Sequence, residues 1–92
     1  MIDLDQQTPS EIAAALAQRV RARRKELKLT QVQMSQKAGM SLGSYKRFEQ
    51  THQISLESLI RISIALSCED DFDALFAKRQ YASIQDVINA RR

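Results

Sequence analysis

The chain has 92 residues, 43% of them hydrophobic, with a net charge of +3, one cysteine and one histidine. This is one domain's worth of sequence, too apolar for disorder and lacking the run of about 20 apolar residues that a membrane-spanning helix needs. Cys68 and His52 alone exclude a disulfide framework and a zinc site built only from Cys and His.

Turn-forming residues are scarce: Gly39, Gly43 and Pro9 are all there are. Hairpins and sheets need such residues, so the composition predicts an all-α fold. The opening Met1-Ile2-Asp3-Leu4-Asp5 is acidic where a signal peptide is basic, which points to the cytoplasm.

The first predicted helix starts at Pro9, with Thr8 as N-cap and Glu11 at the third position completing a capping box. Ile12, Leu16, Val20 and Leu27, with Ala13 between them, give its apolar face, and the helix should end near Leu27 or Lys28. Arg21, Arg24, Lys25 and Lys28 form a second stripe at i, i+3, i+4, i+7. Thr30 caps a short second helix over Gln31–Ala38, with Met34 and Ala38 inward and Gly39 ending it. Ser41 caps a third helix over about 42–50, with Tyr45 and Phe48 inward.

Ser55 caps a fourth helix over about 56–66. Leu59, Ile60, Ile62, Ile64 and Leu66 make it apolar nearly all round, as expected of a central core helix. A short fifth helix begins at Asp70 or Asp71, with Phe72, Leu75 and Phe76 at i, i+3, i+4. Ser83–Ile88 reads as a capped amphipathic turn or two. The predicted organisation is an N-terminal arm (1–8), one domain (9–77) and a tail (78–92) that contacts a second copy or a partner.

Charge is unevenly distributed. Between Arg19 and Arg61 ten Lys/Arg stand against three acids, a local +7, while the remainder carries −4. A basic centre between acidic ends suits a polyanion. The same segment holds two short helices joined by a tight glycine turn, which must cross steeply. Where such units bind DNA, the second helix enters the major groove and the first crosses the backbone.

The third helix has a face for that task. With Tyr45 and Phe48 inward, Leu42, Gly43, Lys46 and Arg47 lie opposite, with Ser41 leading. Arg47 suits a bidentate contact with guanine, Leu42 a thymine methyl, and Lys46 a base or a phosphate. A glycine inside a helix costs about 0.8–1 kcal/mol relative to alanine. Close approach to DNA and close packing against a neighbouring helix both account for Gly43. Gln31 is placed to reach a phosphate or to brace the third helix, and Arg21, Lys25, Lys28 and Ser44 complete a backbone-contacting set that positions without specifying.

The segment RVRARRKELKLTQVQMSQKAGMSLGSYKRFE, followed by ISLESLIRISIAL, resembles the Cro and lambda-repressor type of helix-turn-helix domain. That resemblance implies a five-helix all-α fold and a DNA-binding regulator. It also implies a structural ion pair between a helix-1 arginine and the glutamate ending the recognition helix, positions held here by Arg24 and Glu49. Three residues, Lys28, Thr51 and Ser67, stand where glycine is common, so those turns are expected to differ. Ser35 replaces the usual alanine and needs a hydroxyl partner. More narrowly, GMSLGSYKRFEQTHQISLESLIRISIAL with DDFDALF is similar to the antitoxin subunits that accompany kinase toxins of the HipA type. This implies a homodimer that represses its own operon and binds the toxin.

Enzymatic chemistry finds no support: no nucleophile–base pair can be nominated from spacing, and there is no glycine-rich phosphate loop. No cofactor is expected. The acidic cluster Glu69-Asp70-Asp71-Asp73 lacks the ligand spacing of a calcium loop and fits helix capping. Cys68 fits a small core residue and His52 an exposed turn. The competing reading is a protein-interaction module that neutralises a partner toxin, with DNA binding secondary.

Overall fold

The computed structural model describes residues 7–79. Within them run five α-helices: α1 (Pro9–Glu26), α2 (Gln31–Ala38), α3 (Leu42–Thr51), α4 (Leu56–Ala65) and α5 (Asp71–Ala74). The all-α expectation holds. The turns expected at Ser83–Ile88, and most of the arm and tail, lie outside the described residues.

Each of the first four helices begins on a hydroxyl. The backbone N–H groups of Glu11, Gln33, Ser44 and Ser58 donate to the side-chain oxygens of Thr8, Thr30, Ser41 and Ser55, all at 3.1 Å. Of the box expected at Thr8, only this half forms. Both halves form at Thr30, whose own N–H donates to Gln33 Oε1 at 2.9 Å. Such caps satisfy amides that a helix start leaves without partners.

The turns reproduce left-handed geometry without glycine. Lys28 (φ 57°) and Ser67 (φ 56°) adopt it directly, so at these two positions the expected departure does not occur. Thr51 instead stays helical, its hydroxyl donating to the Arg47 carbonyl at 2.7 Å, and His52 makes the turn one residue later (φ 67°).

The core gathers Ala17 and Val20 of α1, Met34 and Ala38 of α2, Tyr45 and Phe48 of α3, and Ile62, Ala65 and the cap residue Leu66 of α4. Leu29, Met40, Ile54, Leu59 and Cys68 pack around it, half-buried. Tyr45 and Phe48 meet edge to face, centroids 6.3 Å apart. Arg61 adds an unforeseen tie from α4 to the end of α2, donating from Nη1 to the Gly39 carbonyl at 3.1 Å and from Nη2 to Glu57 at 2.9 Å.

The observed helices depart from the expected ones at α1, α4 and α5. On α1 the inward stripe is Ala17, Val20 and Arg24, while Ile12 and Leu27 are half exposed. An 18-residue helix is about 27 Å long and the 8- to 10-residue helices beside it about 12–15 Å, so they cannot cover all of it. On α4, Leu56 and Ile64 are more than half exposed and Ile60 is over a third exposed, so the helix is core on one face only. Finally, α5 spans four residues and buries none, and Phe76 beyond it is 95% exposed. Its expected cap is also missing, since Asp70 makes no side-chain capping bond; Asp71 and Asp73 do occupy the first turn.

The redrawn core makes a prediction. Met34→Ala should cost about 2–5 kcal/mol, because its fully buried side chain lies on α2, which packs against both α3 and α4. Ile12→Ala should stay within about 0.5 kcal/mol. Urea denaturation followed by circular dichroism measures both, and equal losses would restore the longer α1 stripe.

Candidate nucleic-acid interface

The crossing of α2 and α3 is built from small local features. Gly39 takes the left-handed conformation (φ 67°), and the Met40 N–H donates to the Ser35 carbonyl at 3.0 Å, closing α2 within one turn. Ser35 itself is buried, and its hydroxyl donates to the Val32 carbonyl at 2.8 Å. The polar atom that replaces the usual alanine is thereby satisfied inside its own helix. Ser41 then caps α3, engaging the Ser44 amide, and its hydroxyl donates to Ser44 Oγ at 2.9 Å.

With Tyr45 and Phe48 buried, α3 turns Gly43, Ser44, Lys46 and Arg47 to solvent, beside the exposed Ser41. Leu42 is half-buried rather than exposed, so less of it is offered outward than the sequence reading assumed. Around Gly43 there is open space: a methyl group built on its α-carbon would have no neighbour within 4 Å. Packing against a neighbouring helix, one of the two explanations for this glycine, is therefore excluded within the described residues.

The orientation of α3 is held by a polar cluster at its base. Arg24 Nε donates to Glu49 Oε2 at 2.8 Å and Nη2 to Oε1 at 3.2 Å, with side chains only 9% and 6% exposed. Arg24 Nη1 also donates to the Leu29 carbonyl at 2.8 Å, so the same guanidinium fixes the α1–α2 connection. From α2, Gln31 Nε2 donates to Glu49 Oε1 at 3.0 Å. Of the two uses foreseen for Gln31, the structure shows the bracing one. Arg21, largely exposed, reaches the rim of the cluster at 4.0 Å from Glu49.

Electrostatics follow the geometry. Burial alone would raise the Glu49 pKa. The hydrogen bond from Arg24, with Tyr45 and Gln31 beside the same carboxylate, outweighs burial and holds it below the usual carboxylate value. Arg24 is correspondingly held above its usual value, mainly by its bond to Glu49. Among the described residues the buried Tyr45 hydroxyl has no partner of good hydrogen-bond geometry, and burial, reinforced by the neighbouring Glu49 carboxylate, pushes its pKa well above the ordinary phenol range.

Lys25 and Lys28 are exposed at the end of α1, and no hydrogen bond or ion pair ties them to the α3 face. The structure also joins residues that the sequence did not connect. Met40, Ser44, Arg47, Gln53, Ile54, Ser55 and Ser58 line a shallow concavity of about 190 Å³ where α3 meets the start of α4. Each of those helix starts was legible, but the sequence carries no signal that they share a surface. Among the described residues no three His, Cys, Asp or Glu side chains converge in a way that could hold a metal ion, and no helix is long and apolar enough to cross a membrane.

Compared with known proteins, residues 20–72 match the family model described as helix-turn-helix. The match takes in the last seven residues of α1, all of α2, α3 and α4, and the first two residues of α5. No curated protein matches the chain.

The buried pair sets a pH dependence. Because the folded pKa of Glu49 lies below its unfolded value of 4.5, the pair's contribution is complete above that value and is lost as pH falls through the folded pKa. Glu49→Gln should cost about 3–5 kcal/mol at neutral pH by leaving Arg24 buried without its counter-ion. The gap from the parent should narrow in acid. Thermal melts from pH 7 to pH 3 check this, and parallel acid limbs for the two proteins would contradict it.

Proposed function

The chain belongs to the helix-turn-helix family, which makes it a DNA-binding transcription regulator, and on that premise we propose that α3 reads base edges in the major groove of a specific operator. The observation that carries this reading is the two-faced character of α3. Its inner face is locked by Tyr45, Phe48 and Glu49, and its outer face offers Gly43, Lys46 and Arg47 with no partner for either cationic head among the described residues. In this proposal Arg47 and Lys46 supply donors to base acceptors, Leu42 offers its exposed part to a thymine methyl, and Ser41 and Gly43 lie against the groove. Arg21, Lys25, Lys28 and Ser44 meet phosphates. Gln31 keeps one Nε2 hydrogen for a phosphate while the other holds Glu49.

The regulator acts as a homodimer in the cytoplasm, on the nucleoid, with two α3 helices about 34–36 Å apart on successive major grooves. Apolar surface supports pairing: Leu56, Ile60 and Ile64 at i, i+4, i+8 on the outer face of α4, and Leu75 and Phe76 after α5, are all exposed. The acidic segment 69–73 and this apolar surface also leave a second face for a kinase-type toxin. That is the role implied by the likeness of 39–66 and 70–76 to antitoxin subunits, and it makes the protein a repressor of its own operon. No catalytic step and no cofactor enters the proposal.

Fluorescence anisotropy with duplex from upstream of the protein's own gene, beside a scrambled duplex and across a salt series, tests the reading. The expected result is a preference of about 10³-fold or more, a steep loss of affinity with salt, and two chains per duplex. Arg47→Ala should cost roughly 1–3 kcal/mol and relax preference at one base position. Equal, weak binding to both duplexes, with capture of the neighbouring gene's product unaffected by Arg47→Ala, would support the interaction-module reading instead.

A further inference from the structure

Gly43 is the second residue of α3, one turn before Lys46 and Arg47 on the same outer face. Glycine weakens a helix, and here its backbone dihedral is not in the left-handed region that would require it, since Gly39 is the glycine with positive φ. Space does not require it either, because an added methyl would meet nothing within 4 Å, the long side chains of Lys46 and Arg47 included. Helical side chains lean toward the N-terminus, so those two cations project over the turn that Gly43 leaves bare. The α3 backbone is therefore bare at Gly43, on the same face as two exposed donors one turn further on.

We propose that Gly43 is a steric-clearance residue: a base edge of duplex DNA lies directly on the α3 backbone there, and any side chain would hold the helix out of the groove. The inference rests on the reading of α3 as the groove-entering helix and adds the depth at which it enters. Lys46 and Arg47 have a limited reach, set by side chains of four and three methylene groups. Moving the backbone outward by the width of one methyl group lengthens every donor–acceptor distance on this face, and hydrogen bonds weaken steeply once stretched. The glycine thus governs contacts it does not itself make. It acts as a positioning residue for specificity, and its substitution should improve the free protein while damaging recognition.

The test uses the full chain and a duplex that the parent protein itself selects from a randomised library, beside a scrambled control. Gly43→Ala and Gly43→Leu are compared with the parent for melting temperature and for anisotropy-measured affinity. The expected result is a melting temperature at or above the parent's. Affinity for the selected duplex should drop about tenfold for alanine and further for leucine, as overpacking predicts, while weak binding to the scrambled duplex stays the same. Parent-like or tighter binding by Gly43→Ala would overturn the proposal, and so would equal loss on both duplexes. If the parent enriches no duplex at all, it is the groove-reading assignment of α3 that fails, which separates the two ideas.

Discussion

The contact on which the other features of the candidate interface depend is the buried ion pair between Arg24 and Glu49. Both side chains are almost fully withdrawn from water, where an unpaired charge is costly, so each enforces the position of the other. One carboxylate at the end of the α3 face receives Arg24 from α1 and Gln31 from α2, and the same guanidinium holds the carbonyl of Leu29 in the connection between those helices. Three elements thereby share a few polar atoms. A shift of α3 relative to α1 or α2 would strand a buried charge, which gives the pair a steep orienting effect as well as a contribution to stability.

Such orientation matters because the helices are short. At eight and ten residues, α2 and α3 are below the length at which isolated helices are stable in water, so their order comes from packing. Met34, Tyr45 and Phe48 supply the apolar part of that packing. The caps at Thr30 and Ser41 satisfy the first amides, and Gly39 allows the chain to reverse between them. The packing acts on the inner side of α3 and the cap on Ser41 and Ser44, which leaves Gly43, Lys46 and Arg47 on the outer face without a packing role. Gly43, Lys46 and Arg47 can be altered with little effect on the core, which suits a surface whose sequence preference differs from one regulator to the next.

Much of this was legible in the sequence, for identifiable reasons. Caps and left-handed ends are local, so Thr30, Ser41, Ser55 and Gly39 marked the helix boundaries closely. Tyr45 and Phe48 were correctly placed in the core because a 3.6-residue repeat separates the two faces of so short a helix. The Arg24–Glu49 pair came from family resemblance, since nothing in the chain's periodicity links residues 25 apart. Periodicity misled on α1 and α4: it reports which residues share a face, not how far the neighbouring helices extend over it, so Ile12, Leu27 and Ile64 read as core and are exposed. The left-handed turns at Lys28 and Ser67 were missed because tertiary contacts can impose a conformation that the residue type disfavours. The Arg61 bond to the Gly39 carbonyl and the concavity beside Arg47 depend on how α4 docks, which no local signal reveals.

The central claim is that the outer face of α3, held by the Arg24–Glu49 pair, is the surface that meets DNA. Amide chemical-shift mapping by NMR during titration with a duplex selected by the protein tests this residue by residue. The account predicts the largest changes at 41–47, with a second group at the start of α2 and along Arg21, Lys25 and Lys28. Changes centred on Leu56, Ile60 and Ile64 or on 69–76, with 41–47 unaffected, would contradict it and place recognition on a different face of the molecule.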